Sequence, residues 1–436
     1  MREESRLSAA TTDETVRASA AKAAAALLME RCSLLAKVTE RRGEILRTFL
    51  SPAMDEVHRT MQPWMEAAGM VVTVDRAGNL RGVYGTERGE GAARLLIGSH
   101  LDTVPNAGAY DGVLGVLMGL ALLEAGAGGK FPFAVEVLGF SDEEGTRFGA
   151  PFLGSRAVVD ELEGSLLECV DGDGVSVARA LRDFAVRRTD LTEATLAASS
   201  AAYLEFHIEQ GPVLESRNLA LGIVEGLAGQ SRCSVEFRGV AGHAGTNPMR
   251  LRKDALAGAA EWMTGVETIA RRFENAVATV GQISAEPGGV NVIPGMVKCS
   301  LDLRHAEDAM RAALVQAVFD EAQAVAARRG LGVRAAQYHE HAAVRFDEKV
   351  VGMAERAVVR AGYSTMRMTG GAGHDAMVIA PHVPSAMVFL RNPGGISHHP
   401  DESVAEEDVA AAIHAGLCFL DEFGAHVREK ENAKHG

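Results

Sequence analysis

LLIGSHLDTVPNAGAYDGVLGVLMGLALLE, residues 95–124, is the stretch on which the fold turns. LLIGSH (95–100) is a short apolar run that closes on polar residues, the pattern of a buried strand. After a turn-rich loop, Gly112 to Glu124 has the small and apolar spacing of a buried helix. FAVEVLGFSDEE (133–144) predicts another strand, with a C-terminal end that turns acidic. YLEFHIEQG (203–211) and SAMVFLRNPGGISHH (385–399) repeat the pattern. Strands alternating with helices predict a parallel or mixed α/β sheet. In such sheets ligands gather at the carboxyl edge, and here the strand ends carry histidines and acids.

The middle third has a different rhythm. SRCSVEFRGV (231–240) alternates like a half-exposed strand, and a helix is expected from about Lys253 to Arg272. Strands follow near Val277 to Ala285 and at VKCSLDLRH (297–305), then a long amphipathic helix from Asp308 to Arg329 and a strand at LGVRAAQYHE (331–340). The order β-α-β-β-α-β is that of a compact ferredoxin-like module, placed here as an insertion. The expected division is an N-terminal extension at 1–30, a catalytic domain in two parts at 31–226 and 343–436, and the insertion at 227–342.

A chain of 436 residues exceeds one ordinary core, which agrees with two domains. A net charge of −14, with Lys and Arg scattered, argues against binding a phosphate backbone. The five cysteines are far apart and odd in number, with no C-x-x-C pair, so neither a disulfide framework nor a thiolate zinc site is expected. A reducing, cytoplasmic compartment is the simplest reading. No apolar run reaches the roughly 18–20 residues of a membrane span. The Ala-rich first thirty residues carry early acids and no uninterrupted apolar core, and predict a frayed helix rather than a secretion signal or transit peptide.

GSHLDTVPNAGAYDGVLGV holds His100, Asp102 and Asp111 within twelve residues. A carboxylate two residues beyond an imidazole can orient it through the second ring nitrogen, and Asp111 in a Gly-flanked loop could bridge two cations. One His and two Asp are also what a simple turn uses. Glu143 and Glu144 in SDEEGTRFG narrow the choice, since adjacent like charges at the end of an apolar strand repel. The pair makes sense if one glutamate binds metal and the other acts as general base. His207 in HIEQG and a histidine of GGISHHP complete a set without thiolate, suited to Zn, Mn, Co or Ni. Five ligands, one of them bridging, suit two metals about 3.5–4 Å apart.

Six motifs, in order, resemble one family: GSHLDTV…YDG, SDEEGTRF, HIEQGPVLE, GHAGTNPM, GGVNVIPG…LDLRH and GAGHDA…GISHHPDE. They span about Leu34 to Leu420 and resemble the M20 metallopeptidase-like amidases. Within these the chain is similar to the hydantoinase/carbamoylase group of N-carbamoyl-L-amino acid hydrolases, allantoate amidohydrolases and β-ureidopropionases. HIEQGP and HAGTNPM favour that group over aminoacylases and dipeptidases, which usually place a carboxylate where His207 stands. The resemblance implies a mixed-sheet α/β catalytic domain of the phosphorylase/hydrolase-like, zinc-peptidase-like kind. Its inserted α+β ferredoxin-like domain would be a lid and dimerisation domain.

The resemblance also implies roles. His100, Asp111 and His207 would hold one divalent metal, and Asp111, Glu144 and His398 the other, His398 being selected over His399 by the family's GxSH pattern. Glu143 would be the general base and Asp102 the residue that orients His100. His243 would stabilise the oxyanion from a neighbouring subunit, and Arg304 would grip the substrate carboxylate. Gln210, Asn291 and Gly371 would be further substrate contacts. The implied reaction is hydrolysis of a ureido acid by a homodimer, with an N-carbamoyl-L-amino acid as substrate, or else allantoate or N-carbamoyl-β-alanine. Three departures stand out: Gly108-Ala109 in place of two glycines before YDG, Gly229-Gln230-Ser231-Arg232 in place of GQRR, and LRNPG before GISH.

Overall fold

A computed structural model of the chain describes residues 2–89, 91–126 and 131–435, with side chains from Thr15 to Ala433. The helices used below are α1 (Arg2–Leu35), α2 (Pro52–Ala67), α3 (Val113–Ala125), α4 (Ala255–Ala270), α5 (Asp308–Arg329), α6 (Glu348–Arg360) and α7 (Glu406–His435). The strands are β1 (Val71–Asp75), β2 (Leu80–Tyr84), β3 (Arg94–His100), β4 (Ala134–Phe140), β5 (Ser200–Ile208), β6 (Leu221–Leu227), β7 (Gly229–Arg238), β8 (Met296–His305), β9 (Gly332–His341) and β10 (Ser385–Leu390). The chain forms two compact units: one of residues 1–225, 346–368 and 373–436, the other of 226–345 and 369–372.

The first unit is built on a mixed sheet whose longer strands run β6-β10-β5-β3-β4-β2-β1, with short strands added at its edges. The four central strands β10, β5, β3 and β4 are mutually parallel, while β6, β2 and β1 are antiparallel additions. Every residue of β4 and β10 is buried, as expected of parallel strands covered on both faces. Because the four point the same way, their carboxyl ends share one edge of the sheet. In register, His100 lies opposite Phe140 and His207 opposite Phe389. The crossover α3 is buried on all sides from Val113 to Leu123, which explains its lack of any polar face.

The N-terminal helix is better anchored than the sequence predicts. Ala21, Ala25, Leu28, Cys32 and Leu35 recur at spacings of three and four and are all buried, so from Ala21 onward α1 does not fray. Arg17 reaches Asp421 at 2.6 Å, and both terminal nitrogens of Arg31 bond Glu124 at 2.8 Å. Met1 and the side chains before Thr15 lie outside the described residues. Among the described residues, no helix is long and apolar enough to cross a membrane.

The second unit follows the order β7, α4, two short strands (Val277–Thr279 and Ile283–Glu286), β8, α5, β9. Its sheet is antiparallel, with the short strands beside β8, then β7, then β9. The single strand expected near 277–285 is thus two pieces, both paired to β8. Alternate residues of β7 (Cys233, Val235, Phe237) and β8 (Val297, Cys299, Leu301, Leu303) face a core made with α4 and α5. Trp262 is fully buried there and donates its indole N–H to the Val318 carbonyl at 3.1 Å. The opposite residues, including Gln230, Arg232, Asp302 and Arg304, form a polar face.

One buried group in the first unit makes stability depend on pH. His58 on α2 is buried with neither ring nitrogen partnered. Burial, helped by the nearby Arg188 charge, pushes its imidazole down to about 3. Below the ordinary value near 6.5 the unfolded chain takes up a proton that the folded chain refuses, so stability falls as pH drops from about 6.5 to about 3. The slope from this group is about 1.4 kcal/mol per pH unit. His58→Met should flatten the acid limb of a profile of unfolding free energy against pH by about that slope relative to wild type. Parallel acid limbs for the two proteins would refute the assignment.

Candidate metal centre

Four segments bring the site together at the carboxyl edge of the parallel strands. His100 is the last residue of β3 and His207 the penultimate residue of β5, so the ladder itself fixes both imidazoles. Asp111 ends the loop before α3. Gly112 follows it at φ +69°, and a Cβ there would lie 2.4 Å from the His100 ring, so only glycine fits. Glu143 and Glu144 lie in the turn after β4. His398 is not at a strand end as expected: β10 stops at Leu390, and His398 sits eight residues further on, exposed and at φ +56°. The turn that presents it is left-handed, a conformation that a strand pattern cannot forecast.

Asp111 is the hub. Its Oδ1 lies 3.2 Å from His207 Nε2 and 3.8 Å from His100 Nε2, and its Oδ2 lies 3.3 Å from His398 Nε2. His398 Nε2 is also 3.2 Å from Glu144 Oε1. Three groups have ligand atoms close enough to share an ion: His100–Asp111–His207, Asp111–Glu144–His398, and His100–Glu143–Glu144. Asp111 belongs to the first two.

The tautomers argue for a cation. His100 Nδ1 is 3.0 Å from the Asp102 carbonyl, and His207 Nδ1 is 2.9 Å from the Ile208 carbonyl. A carbonyl only accepts, so each Nδ1 carries the hydrogen. Each neutral ring then turns an Nε2 lone pair towards the Asp111 carboxylate, which is repulsive unless a proton or a metal lies between. Without a metal the imidazoles take up protons instead. Asp111 and then Glu144 hold the exposed His398 imidazole up to about 10. Burial works against a charged His207, yet Asp111 still lifts it above its usual value. Imidazole and carboxylate without thiolate fit a pair of divalent cations.

Asp102 does more than its spacing suggests. Its carboxylate approaches His100 Nδ1 only to 3.5 Å, while its two oxygens accept the backbone N–H groups of Glu143 (2.9 Å) and Glu144 (3.1 Å). It fixes the two-glutamate turn, and its carbonyl orients His100. Burial first, and then the Glu144 charge, push the Glu143 carboxyl well above its ordinary range.

Gln210 donates to Asp111 Oδ1 (3.2 Å) and Ser397 Oγ (2.9 Å), leaving its own Oε1 buried and unpartnered. In the second unit, His243 and Asn291 are neighbours: His243 pairs with Val292, and Ala244 N–H donates to the Asn291 carbonyl at 2.9 Å. Gly245 N–H donates to His243 Nδ1 at 3.1 Å, so the neutral ring carries its hydrogen on Nε2. Arg304 is held by both oxygens of Asp302 (2.8 and 3.3 Å), and its remaining nitrogen donates to the Gly371 carbonyl at 2.7 Å.

Sequence reasoning missed several residues at this edge. Glu205, two before His207 on β5, accepts from Ser99, Tyr203 and the Ala376 N–H. His374 packs edge-on against the His207 ring at 4.4 Å. Glu402 accepts the Tyr110 and Asp111 N–H groups. The GAGHDA and PDE letters were the available signal, but only packing shows what they do.

Residues 96–422 match Peptidase family M20/M25/M40. The chain is 38% identical over 429 residues to "Allantoate deiminase 2" of Glycine max, covering 89% of this chain and 87% of that one. It is 40% identical over 356 residues to an N-carbamoyl-L-amino acid amidohydrolase of Geobacillus stearothermophilus, covering 80% and 85%. A solved hydantoinase/carbamoylase-family amidase from Burkholderia multivorans superposes with a TM-score of 0.86 at 31% identity, over 91% of this chain and 97% of that one. Fold, site and relatives define a metal-dependent hydrolase acting on C–N bonds. The chain belongs to the M20 family, in its hydantoinase/carbamoylase group.

The close approach at Gly112 gives a direct check. Gly112→Ala drives a methyl into the His100 ring and should weaken Co²⁺ or Mn²⁺ uptake on the order of 10–100-fold, the usual effect of disturbing a ligand's support. Calorimetric titration of the chelated protein measures this, and wild-type affinity would show that His100 is no ligand.

Proposed function

We propose that the chain is a dinuclear-metal amidohydrolase that cleaves the ureido group of an N-carbamoyl-L-amino acid. The observation that carries this is Asp111, whose two oxygens face imidazole nitrogens of two separate ligand groups. His100, Asp111 and His207 would hold one divalent ion, and Asp111, Glu144 and His398 the other. Zn, Mn, Co and Ni all suit that donor set. When bound, such a pair supplies Lewis acidity to a carbonyl oxygen and lowers the pKa of a water.

The protein's own groups do the rest. Glu143, buried and with a raised carboxyl, takes a proton from the attacking water and returns it to the leaving nitrogen. His243 Nε2–H donates to the developing oxyanion, supplied by a second copy of the chain in a homodimer. Arg304, already oriented by Asp302, takes the substrate carboxylate as a planar bidentate donor. Gln210 Oε1, Asn291 and Gly371 are the polar contacts left for the rest of the substrate. The unit bearing His243, Asn291 and Arg304 acts as lid and dimerisation domain. A carbamoyl amino acid and one water give the amino acid, carbon dioxide and ammonia.

Allantoate is the second reading, favoured by the longer span shared with the soybean allantoate deiminase. Ammonia release from a panel of N-carbamoyl-L-amino acids, N-carbamoyl-β-alanine and allantoate distinguishes the two. A protein silent on the whole panel but active on acyl amino acids or dipeptides would overturn both. Glu143→Gln should keep its metal content and lose about 10²–10⁴ in kcat. Undiminished turnover in that variant would remove Glu143 as the base. His243→Ala should cost about 10²–10³ in kcat with a smaller change in KM.

A further inference from the structure

We propose that Glu402 is the positioning residue of the metal centre, holding the shared ligand Asp111 and the loop of His398 in one register. The inference rests on the metal-centre reading above. Glu402 comes four residues after His398 and is buried, with its own N–H bonded to the His399 carbonyl at 3.0 Å. Its Oε1 accepts two consecutive backbone N–H groups, those of Tyr110 (2.9 Å) and of Asp111 itself (3.0 Å). Its Oε2 lies 3.4 Å from Ser397 Oγ, and that hydroxyl lies 3.4 Å from Asp111 Oδ2.

One carboxylate therefore fixes the peptide from which Asp111 projects and touches the hydroxyl beside its outer oxygen. Two consecutive N–H donors on one charged oxygen form a strong and directional pair. Any displacement of Glu402 rotates the Asp111 Cα–Cβ bond and moves both Asp111 oxygens. Both metals would feel it, because Asp111 belongs to both ligand groups.

The space around Glu402 is shaped for it. A Cβ at Gly108 would come within 2.4 Å of the Glu402 Cβ, Cδ and Oε1 atoms. Contact with the Glu402 Cβ means that a rotation of the carboxylate alone could not relieve the clash. The glycine just before Ala109-Tyr110-Asp111 is therefore a counterpart of Glu402, in the loop that ends at the shared ligand and leads into α3.

The test uses the full-length chain, stripped by chelation and titrated with Co²⁺ by calorimetry and visible absorption. Glu402→Asp keeps the charge but withdraws it by one methylene, and Gly108→Ala displaces it from the other side. Both should lower Co²⁺ affinity at the two sites together, about 10–100-fold, and shift the cobalt absorption bands. Glu402→Gln, which keeps a carbonyl oxygen for the two N–H groups, should recover most of the affinity. His207→Ala and His398→Ala should each impair one site only.

Wild-type protein that takes up no Co²⁺ would defeat the metal-centre reading itself. If wild type binds two ions and the Glu402→Asp and Gly108→Ala proteins match its affinities and spectrum, only the Glu402 inference fails. A lowered apo melting temperature with unchanged cobalt binding would make Glu402 a fold staple and overturn it equally.

Discussion

A buried carboxylate that meets imidazole nitrogens on both oxygens, two of them fixed as bare lone pairs by their own carbonyl partners, sets the terms for everything around it. Asp111 cannot rest in that position without positive charge, because acceptor faces acceptor. The parallel strands deliver His100 and His207 from one edge, and the loops deliver Glu144 and His398 from the side. The close approach at Gly112, the Asp102 grip on the glutamate turn and the Gln210 bond to Oδ1 are all geometries that hold donors around this carboxylate. The sheet's direction is thus inseparable from the chemistry: reversing any central strand would carry its ligand to the opposite edge.

The acid at this edge goes beyond the ligands. Burial first, and neighbouring carboxylates after it, push Asp142 and Asp375 well above their ordinary range, and burial raises Glu205 as well. Both oxygens of Asp375 and one of Asp142 have no hydrogen-bond partner. Buried carboxyl groups gathered this way oppose folding when nothing offsets them. Cations held by the neighbouring His and carboxylate groups would supply the missing charge, so metal and fold would reinforce one another in this unit.

What could be read from the sequence follows from periodicity. His100 and His207 were legible because a strand's end is marked by the switch from apolar to polar letters, and α5 begins and ends at the residues its amphipathic pattern indicates. His398 was legible as a residue but not as a position, since its left-handed turn after β10 leaves no periodic trace. Asp102 was singled out for its distance from His100 in sequence. Its carboxylate, however, binds two N–H groups forty-one and forty-two residues away, a pairing that only the β3–β4 register creates. Glu402 sits in a Pro-Asp-Glu run that reads as an ordinary turn, and its partners are nearly three hundred residues distant. Short-range letters announce strand ends; they do not announce which backbone a buried carboxylate will hold.

Arg304 shows the same logic in the second unit. Asp302 and Arg304 are two apart on β8 and so share a face, opposite the apolar core. Asp302 also accepts from Gln230 at 2.6 Å and from Arg232 at 3.4 Å, both on the same face of β7. One carboxylate therefore serves two guanidinium groups, leaving the cluster with an excess of positive charge. A lone surface arginine would spend rotamer entropy, up to about 2 kcal/mol, on ordering itself around an anion. Here Asp302 and the Gly371 carbonyl have fixed the guanidinium plane beforehand. Folding has already met that ordering cost, so less of the binding energy would be lost if a carboxylate were to bind there, as the proposed function requires.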